Sequence, residues 1–451
     1  MSARGSRSGR PPSPPPPVAP RDLLELPLRA NPAFRLVLFD RLPAGQRRQL
    51  AGLARDPEHY GVLRPRRGTG LGLKAVDRET ALLFLTLARP GPLPGYVRSR
   101  LGDDGAALVL ARLVADGVLE IERAPGGFVS GAAATPLFAA PAAAGGRLAE
   151  LSRAALRHGQ ELARTLREPE PLQLSLRLYG FNRLPVTPRW RRTLPEAAAV
   201  RRYLGIAAGG RWQPLLERYW RELAHSGDEP WLRWQPWRPA DPGAPSPAAA
   251  TARAAVGRGV PTYKLYVSPA LEALPEAFGA VLDGLAAVGA TGFKVGAAAG
   301  GLLRPDKIVA YFETFEHLAA AAGALTERLA GVAAQGVPFT SEIAAGGQLS
   351  WGVDPPPAAG FGLLGGDGRI SWRLWLTNRL ARALIAAVAA ASPAPPLPGA
   401  GAAGVAGAMD AAAGGTVEPW RFAVERLRLE GIDTDSWTPG GGLWRGQEAG
   451  A

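Results

Sequence analysis

Lysine is almost absent from this chain. Of 52 lysines and arginines only four are lysine: Lys74, Lys264, Lys294 and Lys307. Three of the four fall in one short window of the C-terminal half. Arginine keeps its proton at every usable pH, whereas lysine releases it once burial or neighbouring cations lower its pKa. Lysines kept against a strong arginine bias therefore suit a task arginine cannot perform, such as presenting a neutral amine as a base. The plainer alternative is that lysine stems snorkel at strand ends, which asks for no chemistry.

YKLYV, GFKVG and KIVAYF each read as a strand, on which side chains alternate between faces. Lys264 and Tyr266 then share a face of the first, and Lys307, Val309 and Tyr311 share a face of the last. If these strands pair with FKV beside or between them, the three lysines converge. Arg304 then stands at a strand entrance, and Arg379 and Arg382 come from a late helix. Clustered cations depress a lysine's pKa and hold a phosphate dianion. A neutral lysine beside such a clamp can run a β-elimination. It takes the α-proton of phosphoserine or phosphothreonine while the cations stabilise the departing phosphate. No cofactor or metal is expected. The chain has no cysteine, and His59, His158, His225 and His317 stand far apart without metal-ligand spacing.

In order along the chain, YKLYVS, GFKVG, RPDKIVAYF and the later GQLSWGVDPP resemble the lyase domains that dehydrate phosphorylated lanthipeptide precursors. They are similar also to the bacterial effector phosphothreonine lyases and to HopA-type effector-like proteins of ribosomal peptide clusters. The resemblance covers roughly residues 260–390. It implies Lys294 as the proton-abstracting base and Lys264 as the second catalytic lysine. Arg304 and Lys307 fall loosely at phosphate-binding positions, and Tyr311 and Arg379 complete the expected substrate-binding set. Tyr266 stands where the family has its general-acid histidine. Three readings follow: a tyrosine acid, an elimination that needs no acid, or an inactive domain. The implied partners are a precursor peptide with its leader and a separate Ser/Thr kinase, since no glycine-rich kinase loop with its catalytic Asp and Asn is legible here.

The elements that must position these residues read as an α+β fold. Residues 257–395 alternate strands with helices at ALEALPEAFGAVLDGLAAVG, FEHLAAAAGALTERLAGVAAQ and SWRLWLTNRLARALIAAV, and VPFTSEI and QLSWGV add strands. In the middle region, 136–256, LAELSRAALRHGQELARTLRE predicts a helix. Alternating Leu174, Leu176 and Leu178 predict a half-buried strand. Arg183, Arg189, Arg191 and Arg192 beside Trp190 are either a grip for an acidic or phosphorylated ligand or a solvated loop. The tryptophans of EPWLRWQPWRPADPGAPSP read as a satellite cluster before a Pro/Ala linker.

Residues 31–135 show three helical periods followed by a VLEIE–PGG–FVSG hairpin, the order of a winged helix. This order resembles the PqqD-like leader-recognition domains, whose wing offers a strand edge to a leader peptide. The presumed recognition helix carries only Arg112, poor equipment for a DNA groove, so nucleic acid is a disfavoured partner. A net charge of +13 suits an acidic partner of some kind. Residues 1–30 read as a Pro-rich disordered arm, 396–415 as a Gly/Ala linker, and 416–451 as a short helix and tail. No apolar stretch follows the N-terminal arginines, and prolines and glycines break the late apolar segment. No signal or membrane span is expected, and the chain reads as cytoplasmic. Besides the lyase, two functions are compatible with the sequence: a non-catalytic leader- or phosphopeptide-binding scaffold, and a winged-helix DNA-binding regulator.

Overall fold

The computed structural model describes residues 20–50, 58–66, 71–140, 145–166, 170–227, 229–237, 262–288, 290–343, 346–355, 370–391 and 417–440. The Gly/Ala linker and most of the Pro/Ala linker lie outside them. The fold is mixed α and β, in two compact units: residues 17–141 with 386–430, and 142–385 with 431–451.

The first unit holds β1 (Leu28–Ala30), β2 (Phe34–Leu38), α1 (Ala44–Gln49), β3 (His59–Pro65), β4 (Lys74–Asp77), α2 (Arg78–Thr86), α3 (Gly95–Ala115), β5 (Leu119–Ala124) and β6 (Gly127–Val129). Gly102 at φ 66° breaks α3 into the two helices the sequence suggested. β5 pairs with both β1 and β6, while β2, β3 and β4 form a second sheet that the periodicity did not announce. Of the expected disordered arm 1–30, residues 1–19 lie outside the described residues, while Leu23, Leu24 and Leu28 are buried, enough to fix residues 21–30 against the fold.

The second unit continues with α4 (Arg147–Thr165), α5 (Pro171–Tyr179), α6 (Pro188–Thr193), α7 (Ala197–Tyr203), α8 (Gln213–Tyr219), β7 (Trp220–Glu222), β8 (Trp231–Pro236) and β9 (Tyr263–Val267). Then come α9 (Leu274–Ala286), β10 (Gly292–Gly296), α10 (Ala299–Leu302), β11 (Ile308–Phe312), α11 (Phe315–Arg328), β12 (Ser341–Glu342), β13 (Leu349–Val353) and α12 (Trp372–Ala391). α13 (Pro419–Leu429) returns to the first unit, where Arg426 pairs with Asp116 and Arg428 donates to Phe138 O at 2.6 Å. β14 (Ile432–Asp433) and β15 (Thr438–Pro439) close the second unit.

Seven antiparallel strands in the order β12-β13-β9-β11-β10-β8-β7 make the central sheet. It runs across residue 256, so the middle region and the lyase-like region share one sheet. One face is apolar: Leu265, Val267, Phe293, Val295, Ile308 and Phe312 are buried in one cluster with residues of α9 and α11. Trp234 stacks on Phe293 at 4.9 Å and belongs to this main core, not to a satellite, because β8 brings it into register with β10. LQLSLRLY is helix α5 rather than a strand. Pro171 opens it, and Leu174 and Leu178, one turn apart, are buried while Leu176 is 47% exposed.

α12 is long and apolar enough to cross a membrane, yet 56% of its most apolar window is buried inside the fold, as a core helix would be.

Candidate functional site

Strand register decides which side chains meet. Lys294 lies opposite Val309 on β11 and Arg233 on β8, and Val309 lies opposite Tyr266. One row along, Tyr311 lies opposite Lys264. Side chains of both rows project to the polar face, away from the apolar core, because alternate residues point to opposite sides. The two lysines flank one ring. Lys264 Nζ is 5.6 Å and Lys294 Nζ 5.9 Å from the centroid of Tyr311.

Lys294 also sits 4.2 Å from the Trp231 ring centroid, and the Arg304 guanidinium is 5.0 Å from that same ring. Among the described residues no acceptor takes a hydrogen bond from Lys294. Burial lowers its pKa to about 8, with help from the charge of Lys264 and lesser contributions from Arg304 and Arg233, against the pull of Asp306. Lys264 has a counter-ion in Asp354, whose carboxylate also accepts the Trp372 N–H at 3.1 Å. Burial raises the pKa of the Tyr311 phenol, so it keeps its proton.

Beneath this face lies a polar clamp. Asp306 accepts two hydrogen bonds from Arg304, at 2.8 and 2.9 Å, and one from the Tyr179 hydroxyl at 3.1 Å. Arg373 of α12 adds an ion pair at 3.0 Å and donates to Pro338 O and Tyr179 O. Burial alone would raise the Asp306 carboxyl, but Arg373 and Arg304 outweigh it and hold the group well below the usual carboxylate range. The clamp holds the Nε and one Nη of the Arg304 guanidinium, and the side chain stays 24% exposed.

The expected site residues therefore divide. Lys264, Lys294, Tyr311 and Arg304 gather on one solvent-reaching surface. Tyr266 points to the same side but is 3% exposed, and burial drives its phenol pKa well up. Lys307 is fully buried, and its ammonium donates to Pro269 O at 2.8 Å and to Gln335 Oε1, so its position does not match an expected phosphate contact. Arg379 stacks on Trp375 at 3.5 Å, and the α12 cation that reaches the clamp is Arg373, six residues earlier. Sequence reasoning missed Asp306, Arg373, Tyr179, Trp231, Arg233 and Asp354. The only local signal was Asp306 two residues after Arg304. The others lie far away in sequence.

No family model matches the chain, and neither does any curated protein. Solved structures do. The effector protein from Pseudomonas syringae pv. tomato strain DC3000 is similar at 10% identity and a TM-score of 0.33, over 65% of this chain and 99% of that one. The effector protein from Pseudomonas syringae pv. syringae strain 61 is similar at 12% identity and a TM-score of 0.32, with the same coverage. Likeness at that level carries no functional argument, and the site stands on its own geometry.

Proposed function

We propose that the lysine face eliminates phosphate from phosphoserine or phosphothreonine in a polypeptide. The observation that carries this reading is Lys294: a partly exposed amine of lowered pKa, without an acceptor among the described residues, beside a second lysine and the clamped Arg304. Lys294 Nζ takes the α-proton, the C–H electron pair becomes the Cα=Cβ bond, and the Cβ–O bond breaks with its pair leaving on phosphate. Lys264, held by Asp354, faces the substrate carbonyl and stabilises the charge that grows there. Arg304 and Arg233 receive the phosphate. Tyr311, whose phenol keeps its proton, stands in for Tyr266 at the general-acid position, Tyr266 being too buried to reach a substrate, and Lys307 stays out of the reaction.

The substrate in this reading is a ribosomally made precursor, phosphorylated by a separate Ser/Thr kinase. Its leader adds to β6, the outer strand of the β1-β5-β6 sheet, whose outer edge pairs with no other strand among the described residues and so suits a winged-helix-like, leader-holding role for residues 31–135.

The test is mass spectrometry of a phosphothreonine peptide incubated with the protein at pH 8–9, where about half or more of Lys294 is neutral. Elimination leaves an alkene that adds thiols. Hydrolysis leaves the hydroxyl, heavier by one water. The reading fails if the peptide returns unchanged or merely dephosphorylated.

A further inference from the structure

A cavity of about 560 Å³ opens beside Arg304 and Trp231 and is lined also by Arg183, Glu196, His225, Gly300 and Glu229, the last of which faces Arg233 at 3.8 Å. Trp231 is the ring against which both Lys294 and Arg304 sit, so the cavity and the lysine face share a wall. Arg183 stands on the rim, its guanidinium donating to Gly300 O at 2.7 Å. From there the chain runs through α6, which exposes Arg189, Arg191 and Arg192, into α7 with Arg201 and Arg202. Between residues 183 and 202 six arginines face a single acid, Glu196.

Arg201 is neutralised by Glu222 at 2.5 Å, and Arg189 lies over Trp190 at 5.0 Å. Among the described residues Arg183, Arg191, Arg192 and Arg202 have no carboxylate partner. Exposed like charges repel and add nothing to folding, and this run meets the cavity at Arg183 and again at Pro195, just past Arg191 and Arg192, so it suits an anionic ligand that extends from the cavity.

We propose that this arginine rim binds anionic side chains of the substrate polypeptide on one side of the phosphorylated residue. The proposal rests on the elimination reading for its registry: a phosphate at Arg304 would place neighbouring residues of an extended chain, about 3.3 Å apart, along the cavity and onto the rim. The substrates are then phosphopeptides whose flank carries aspartate, glutamate or further phosphorylated residues. The shared wall at Trp231 favours one continuous peptide over a nucleic acid bound elsewhere on the arginines.

The experiment is fluorescence anisotropy with the full chain and peptides holding one phosphothreonine. Its N-terminal or C-terminal flank is alanine, aspartate or phosphoserine. Aspartate on one side is expected to tighten binding about tenfold at low salt, since each exposed pair contributes modestly and salt screens it. Phosphoserine there should do at least as well. The double variant Arg191→Gln/Arg192→Gln should lose the preference while binding the alanine-flanked phosphopeptide as before. Equal affinity for alanine and aspartate flanks overturns the proposal, as does a preference that survives in the double variant. A single-stranded oligonucleotide of matching charge that outcompetes every peptide overturns it too, in favour of nucleic acid. An unphosphorylated, aspartate-rich peptide separates the two readings. If it binds the wild type better than the double variant while no phosphopeptide is eliminated, the lyase reading falls and the rim stands.

Discussion

Lys294 stands on β10 and Lys307 immediately before the adjacent β11, and burial lowers both their pKa values, to about 8 and about 7. Their surroundings make them opposites. Lys307 is sealed, and its two acceptors match the two N–H donors that a neutral amine still has. Lys294 has aromatic walls, cationic neighbours and, among the described residues, no acceptor, and it stays partly exposed. A lowered pKa thus marks burial in both places, and only the unsatisfied, reachable amine is equipped for proton transfer.

The largest effect should come from Lys294→Arg, which keeps a cation but removes the proton acceptor. Elimination, followed by mass spectrometry, is expected to fall by about 10²–10⁴-fold, with unfolding in urea little changed. Wild-type elimination rates in this variant would dissolve the contrast between the two lysines.

Next is Lys307→Met. It strips Pro269 O and Gln335 Oε1 of their donor, and leaving buried acceptors unpaired should cost about 2–3 kcal/mol in denaturant unfolding. The protein that remains folded should eliminate phosphate at close to the wild-type rate. The pH dependence of stability sharpens the point. Both lysines have folded pKa values below the ordinary 10.5, so between about pH 7 and 10.5 the unfolded chain binds more protons than the folded one. Wild-type stability should rise with pH across that window, and Lys307→Met should flatten the rise. A rise that persists unchanged in the variant would show that Lys307 is not its source.

The smallest effect concerns Lys264. Elimination should increase with pH through about 8 as Lys294 loses its proton. Lys264→Gln removes the cation that ranks after burial in lowering that pKa, so the midpoint should move to higher pH, while burial keeps it below an exposed lysine's value. A midpoint that stays put, with only the rate reduced, would confine Lys264 to contacting the substrate.

Much of the second unit was legible because period-2 and period-3.6 patterns are local properties. YKLYV, GFKVG, IVAYF and LSWGV are strands, and the helices between them lie where their apolar spacing put them. Locality also explains the errors. Leu174, Leu176 and Leu178 alternate as in a strand, but Pro171 and the packing of Leu174 and Leu178 against neighbours settle that segment as helix. The tryptophans of β8 looked peripheral because nothing nearby in sequence revealed Phe293 as their partner.

By itself, then, the sequence determined that Lys264 and Lys294 stand on strands, with Lys264 and Tyr266 on one side of the first, and it put Lys307 at the entrance of the strand that carries Tyr311. Alternation needs no tertiary information. Only the tertiary structure decided which of them share a working surface. β9 and β10 do not touch, and β11 between them carries Tyr311 into the gap. Arg373 arrives from α12 to clamp Asp306, and Gln335 closes over Lys307 while leaving Lys294 open. Solvent exposure and charge neighbours depend on elements far apart in the chain. The same residue type at neighbouring places in the fold therefore became a buried strut at one position and a partly exposed amine at the other.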